Sequence, residues 1–481
     1  MSTQHPDNVS VPFFAENPQL SGDDEIKEAY FALAHLNCDE QMWDCEGKEV
    51  DSFVVKKLLT TYESFFQQHR IGEDVRLTLR VPNPAVEKTE AKILLETLES
   101  IPRSFDAAKL FYNDDKPPIY EVILPMASTA DSVNRVYHYY RHFVSGKSGQ
   151  AISKGDITIA KWIGEFKPES INVIPLFEDK EHLLSAGEVT KAYLSGKDVE
   201  YQRVMLARSD PAINYGQVSA VLLNKIALQR LKAVEEKTSV PIYPIIGAGS
   251  APFRGNLRPE TVDLILKGYA RAHTFTIQSA FKYDHQPKDA LDAINKIRSA
   301  PKRQPITVDE QACLKVIEKY SAAYRNAVTH LAPLINEVAA FVPARRKRKL
   351  HIGLFGYSRE LKGISLPRAI SFTAALYSLG LPPEILGLQA LTARDVDVIV
   401  SNNYANFHYD LGCALKYFNE ESLSLLPKKL HPAIGLVHGD VEKDLAHLSF
   451  SSEILKAIRQ KKTSKVPDLV VRAGQRRGFL G

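Results

Sequence analysis

Short apolar runs recur along the chain, each ended by polar or glycine-rich residues and followed by a segment with apolar residues at helical spacing. Eight runs show this pattern, at residues 39–44 (DEQMWD, the least apolar), 75–81 (VRLTLRV), 119–126 (IYEVILPM), 171–177 (INVIPLF), 203–208 (RVMLAR), 241–247 (PIYPIIG), 274–279 (TFTIQS) and 349–356 (KLHIGLFG). Helices are predicted over 51–70, 85–101, 130–145, 216–236, 259–272 and 308–340. In 216–236 the residues Val218, Val221, Leu222, Ile226, Leu228 and Leu231 fall mostly on one face. Near-continuous apolar strands alternating with helices indicate a parallel sheet covered by helices. Eight such units point to an α/β fold, a closed (β/α)8 TIM-type barrel rather than an open doubly wound sheet. The expected organisation is one domain: an N-terminal arm (1–38), a barrel core (about 39–380) and a mostly helical C-terminal region (about 381–481) packed on the barrel.

Composition narrows the class. With 61 Lys and Arg against 57 Asp and Glu, 44% hydrophobic and 25% charged residues, the 481-residue chain has ordinary globular make-up, and a net charge of +4 gives little reason to propose nucleic acid as a partner. No run of 18 apolar residues exists, and Met1-Ser2-Thr3-Gln4-His5-Pro6-Asp7-Asn8 lacks the charged and apolar regions of a secretion signal, so a cytoplasmic protein without a membrane span is expected. Cys38, Cys45, Cys313 and Cys413 fit neither a disulfide framework nor zinc spacing, and are expected to be reduced and buried.

Barrel enzymes gather their chemistry at the carboxyl ends of the strands. Here those ends carry Asp44 and Glu46, Arg80, Ser128, Glu178 and Asp179, Ser209 and Asp210, Gly249 and Ser250, Gln278, and Tyr357 and Arg359. Glu178 and Asp210 end successive strands, and two hard oxygen donors side by side suit Mg²⁺ or Mn²⁺. The competing reading is that each carboxylate caps the helix that follows. The segment Gly247-Ala248-Gly249-Ser250-Ala251-Pro252-Phe253-Arg254-Gly255-Asn256 looks like an anion cradle with an arginine, although Pro252 breaks the dinucleotide pattern and a glycine-rich turn is more often only a turn. Arg80, Arg254, Arg359 and Arg368 could converge on a phosphorylated or carboxylated substrate, the alternative for each being a surface ion pair. The basic run Arg345-Arg346-Lys347-Arg348-Lys349 reads as a solvated face. On physical grounds alone, His5 in a polar terminal arm would be passed over.

Taken together, these strings resemble phosphoenolpyruvate carboxylase of the short archaeal type over essentially the whole chain. Thr3-Gln4-His5-Pro6 resembles the family's T-x-H-P segment, Val173-Ile174-Pro175-Leu176-Phe177-Glu178 its V-P-L-F-E segment, and Arg208-Ser209-Asp210 its Y-S-D segment. Gly247 to Gly255 resembles the glycine-rich loop, Gly356-Tyr357-Ser358-Arg359 and Leu366-Pro367-Arg368-Ala369-Ile370 the two arginine segments, and Leu79-Arg80 a strand-borne substrate arginine. The resemblance implies carboxylation of phosphoenolpyruvate by bicarbonate to oxaloacetate and phosphate, with His5 as general base and Glu178 and Asp210 as Mg²⁺ ligands, Mn²⁺ being able to substitute. It makes Arg254 and Arg359 catalytic as well as substrate-binding, and Arg80, Gly249, Ser250 and Arg368 substrate-binding. A homotetramer, and inhibition by aspartate or malate, are further implications. His5 is expected to reach the site by the arm folding back across the barrel mouth. Where the long bacterial and plant enzymes have a lysine three residues after the metal aspartate, this chain has Ile213, and Ile246-Gly247-Ala248 stands where they have H-G-R. Two rivals remain: another Mg²⁺-dependent enolate-handling barrel, such as a lyase or aldolase of acyl-CoA-type substrates, and a non-catalytic metabolite-binding regulatory subunit.

Overall fold

The computed structural model describes the chain apart from residues 47–50, 89–90, 302–306, 348–359, 362, 400–402 and 429–440. Seven parallel strands follow one another in chain order: β1 (Glu40–Asp44), β2 (Arg76–Arg80), β3 (Glu121–Leu124), β4 (Asn172–Phe177), β5 (Gln202–Ala207), β6 (Ile242–Gly247) and β7 (Thr274–Phe275). The first seven apolar runs thus form strands, the seventh only two residues long, and the eighth run (349–356) lies outside the described residues. Between β7 and β1 the wall is completed by the start of the chain. Ser2 pairs in parallel with Gln41 of β1 and with Ile277 just beyond β7. The Ser2 N–H donates to Glu40 O (2.7 Å), Met42 N–H to Ser2 O (2.8 Å), Thr3 N–H to Ile277 O (3.0 Å) and Ile277 N–H to Met1 O (2.8 Å). The arm expected across the barrel mouth therefore enters the wall. The physical reason is that the facing edges of β1 and β7 need hydrogen-bond partners, which an extended segment between them supplies.

Met1 also joins the apolar layer that fills the barrel, with Met42, Ile123, Ile174, Leu176, Met205, Ala207 and Ile245. One step back toward the amino ends of β1, β3 and β5 the inward residues are charged, alternate strands contributing to one layer. The Arg203 guanidinium donates to Glu40 Oε1 (2.8 Å) and Oε2 (2.6 Å) and to Glu121 Oε2 (2.9 Å). Burial opposes charge on Glu40, but Arg203 holds its carboxyl at about 2, whereas burial pushes the Glu121 carboxyl up despite the same guanidinium.

The predicted helices form with adjusted ends. The 51–70 segment breaks at Tyr62 into Val54–Thr61 and Glu63–Gln68, and 130–145 finishes in a π-helical turn, Tyr140–Ser145. Helix Gln217–Thr238 is buried around most of its circumference rather than on one face, because helices Lys180–Leu194 and Glu310–Ala339 both pack on it. The basic run is a second correction, since Arg345 and Arg346 are buried. Arg346 pairs with Glu25 (2.6 Å) and Glu28 (2.8 Å) on helix Asp23–Tyr30, and Arg345 donates to Val9 O (2.5 Å). All four cysteines are free, Cys413 being only half-buried. Among the described residues no single helix is long and apolar enough to cross a membrane; the bent pair Ala369–Ser378 and Pro383–Ala390 has the composition together and is largely buried in the core.

Candidate active site

A cavity of about 230 Å³ opens at the carboxyl ends of the strands, and His5, Arg80, Glu178, Asp210, Arg254 and Arg368 all line it. Gly249 and Ser250 do not, and Arg359 lies outside the described residues.

Glu178 directly follows β4, and Asp210 sits in the first turn of helix Ser209–Tyr215 after β5. The two strands are neighbours, Phe177 standing opposite Leu206. Asp179, not Glu178, caps helix Lys180–Leu194, its carboxylate accepting the His182 N–H at 2.9 Å. Helix Ser209–Tyr215 begins at Arg208 with no side-chain cap. Neither candidate ligand is thus the N-cap of its helix. Among the described residues no cluster of three or more His, Cys, Asp or Glu side chains is arranged for a metal. A pair of carboxylates facing a cavity, with the remaining positions left to substrate and water, is the donor set Mg²⁺ uses, so the residues fit that ion.

The arginines are held by the protein itself. Arg80, ending β2, donates from Nε and Nη2 to the two Asp44 oxygens (2.9 and 2.8 Å), and Nη2 lies 3.2 Å from Glu46 Oε2. Asp44 and Glu46, roles unassigned by sequence, thereby orient Arg80. Arg254 is 2% exposed and ties several elements together. It donates to Ser209 Oγ (3.0 Å), Gln278 Oε1 (2.6 Å), Asp7 Oδ2 (3.2 Å) and the Gly481 carbonyl (2.6 Å). Its guanidinium lies against Gly249, where an added Cβ would come within 2.8 Å of Cζ, so a side chain there would displace it. The glycine turn is a cradle, but the anion in it is Asp7: Ser250 N–H (3.4 Å) and Ala280 N–H (2.7 Å) both donate to that carboxylate. Burial pushes the Asp7 carboxyl up, with Arg254 and these amides pulling the other way. Arg368 is exposed and precedes helix Ala369–Ser378 as its N-cap residue.

His5 is placed by the stave before it, the extended residues 1–3 that pair with β1 and with Ile277. Gln4 Oε1 accepts the Asp44 N–H (2.9 Å), the His5 carbonyl accepts the Ser279 N–H (3.2 Å), and Nδ1 lies 2.9 Å from Thr3 Oγ1. Residues that sequence reasoning missed include Thr3, Arg345 and Arg346, the last two also lining the cavity. The available signal for Arg346 was Glu25 and Glu28, two carboxylates one helical turn apart.

The family model described as phosphoenolpyruvate carboxylase matches residues 1–481. Phosphoenolpyruvate carboxylase of Methanothermobacter thermautotrophicus is 54% identical over 481 residues, covering 100% of this chain and 99% of its own. The protein of the same name from Pyrococcus furiosus is 49% identical over 496 residues, with 100% and 99% covered. A solved HpcH/HpaI aldolase/citrate lyase family protein from Burkholderia cenocepacia J2315 overlays 62% of this chain and 95% of its own at 15% identity and a TM-score of 0.33, which bears on neither reaction nor substrate. With both relatives matched end to end and the family model spanning every residue, the chain belongs to the phosphoenolpyruvate carboxylase family and is an enzyme of that type.

Proposed function

We propose that this chain carboxylates phosphoenolpyruvate with bicarbonate at the cavity above β4 and β5, using Mg²⁺ held by Glu178 and Asp210, with Mn²⁺ able to substitute. One observation supports this above others: a single cavity joins Glu178, Asp210, five arginines and a histidine carried by the first strand-like segment. A bicarbonate oxygen attacks phosphorus and the phosphorus–oxygen bond to the enol breaks, giving carboxyphosphate and pyruvate enolate. His5 then takes the carboxyl proton of carboxyphosphate, whose carbon–oxygen bond breaks to release CO₂ and phosphate. The enolate carbon adds to CO₂ and forms oxaloacetate. Histidine's unperturbed pKa, about 6.5, suits a base working near neutrality. Glu178 and Asp210 would hold Mg²⁺, which when bound would supply positive charge to stabilise the enolate.

Arg80, Arg368 and, from the family resemblance, Arg359 bind phosphate and carboxylate oxygens. Arg254, its donors engaged by Asp7, Ser209, Gln278 and Gly481, supplies fixed positive charge to the wall, with Gly249 and Ser250 shaping its seat. Enclosure keeps water from the enolate and CO₂. A cytoplasmic homotetramer is the assembly expected of the family, and the exposed Phe143, Trp162 and Ile163 offer apolar surface for subunit contact. Light scattering measures that mass directly.

Formation of oxaloacetate from phosphoenolpyruvate, bicarbonate and Mg²⁺, read through malate dehydrogenase, tests the reaction, and an inactive wild type overturns it. His5→Asn should abolish oxaloacetate while phosphate and pyruvate are still released, because the first step needs no base. Loss of phosphate release as well would make His5 a binding group.

A further inference from the structure

We infer that Thr3 is a positioning residue for His5, its hydroxyl fixing the imidazole tautomer so that Nε2 faces the cavity as the base; the inference rests on the reading of His5 given above. Thr3 Oγ1 lies 2.9 Å from His5 Nδ1, and Thr3 is fully buried. Its backbone has no freedom to carry that hydroxyl away. The N–H donates to Ile277 O (3.0 Å) in the barrel wall, and the carbonyl accepts from Lys282 Nζ (3.0 Å). Lys282 is itself buried, pairs with Glu28 at 3.0 Å, and also donates to Ser2 Oγ at 3.1 Å. On the other side, the His5 carbonyl accepts the N–H groups of Ser279 (3.2 Å) and Asp7 (3.1 Å).

With the backbone pinned before and after it, His5 keeps only its side-chain torsions, and the Thr3 hydroxyl engages one ring nitrogen. A neutral imidazole carries one N–H and one lone pair; a hydroxyl can meet Nδ1 in either form, but only as acceptor from Nδ1–H does it leave the lone pair on Nε2 and also suit the protonated ring. With Nδ1–H donating to Thr3 Oγ1, the lone pair is on Nε2. When Nε2 takes up the carboxyl proton, Nδ1–H keeps the same acceptor, so base and conjugate acid are held by one unchanged contact. A hydroxyl serves here and a methyl does not.

The test compares Thr3→Val with Thr3→Ser. Thr3→Val should lower kcat for oxaloacetate by roughly tenfold to a hundredfold, the usual cost of removing a partner that orients a functional histidine, with KM for phosphoenolpyruvate little changed. Thr3→Ser should restore most of the rate. Nitrogen NMR of wild type labelled at histidine should show His5 protonated at Nδ1 in its neutral form; protonation at Nε2 overturns the inference even if Thr3→Val does not fold. A Thr3→Val enzyme with a lower melting temperature but wild-type kcat makes Thr3 a wall residue only. If His5→Asn forms oxaloacetate at the wild-type rate, the reading of His5 as base fails, whatever Thr3 does.

Discussion

Arg80 and Asp44, side by side on β2 and β1, form a two-pronged ion pair at the cavity edge, with Nε and Nη2 donating at 2.9 and 2.8 Å. Asp44 is 1% exposed at its side chain and Arg80 11%, so the pair is fixed away from bulk water. Asp44→Ala should release Arg80 from its orientation and raise KM for phosphoenolpyruvate roughly tenfold, equivalent to about 1.4 kcal/mol. Arg80→Lys should behave similarly, since an ammonium cannot reproduce the planar fork. Steady-state kinetics at fixed bicarbonate measures both.

Glu178→Gln and Asp210→Asn each remove one charge from the proposed cation site while keeping its shape. Each should weaken Mn²⁺ binding by roughly tenfold or more, as hard cations depend on anionic oxygen. Titration of free Mn²⁺ by electron paramagnetic resonance gives the affinity without turnover. Unchanged binding in both variants would place the metal elsewhere.

Arg203→Met leaves Glu40 and Glu121 facing each other inside the barrel without their shared cation. Loss of one partner from a buried ion pair costs about 3–5 kcal/mol, so the urea midpoint should fall markedly.

Buried carboxylates of this kind set an acid limit. Burial alone would raise the carboxyls of Glu28 and Glu40, but Arg346 with Lys282, and Arg203, hold them at about 2 against an ordinary 4.5. Because the folded values lie below the unfolded ones, the stability these groups contribute is complete above pH 4.5 or so. It is lost as pH falls toward 2. Unfolding free energy should therefore drop between about pH 4.5 and 2, and that drop should be shallower in Arg203→Met.

Asp7→Ala removes the carboxylate that collects Arg254, the Ser250 N–H and the Ala280 N–H. Hydrogen exchange should quicken at those two amides and along residues 4–10. The Arg203 variant should leave that region protected, since its break lies deeper in the barrel.

The strands were legible because both their faces are covered: β4 and β5 are buried over nearly every residue, which leaves an apolar run in the sequence. Even DEQMWD is a strand, its Glu40 tolerated inside through Arg203 on β5. Three residues of stave are too few to carry a period, and Ser2 meets its partners Gln41 and Ile277 only through the fold. Spacing could not decide whether Glu178 caps a helix, but the geometry of its neighbour Asp179 does. The arginines were visible as charges but not as bonded groups. Arg254 and Arg346 are committed to Asp7, Glu25 and Glu28, carboxylates far away in sequence, and no local pattern records that.

The stave has a consequence for the order of folding. Thr3 and Lys282, hydrogen-bonded in the finished barrel, are 279 residues apart, and contacts of such separation form late because intervening chain must first be ordered. His5 is carried by that contact. A partly folded or nascent chain, however complete β4 and β5, therefore holds no histidine at the mouth until that seam of the barrel has sealed.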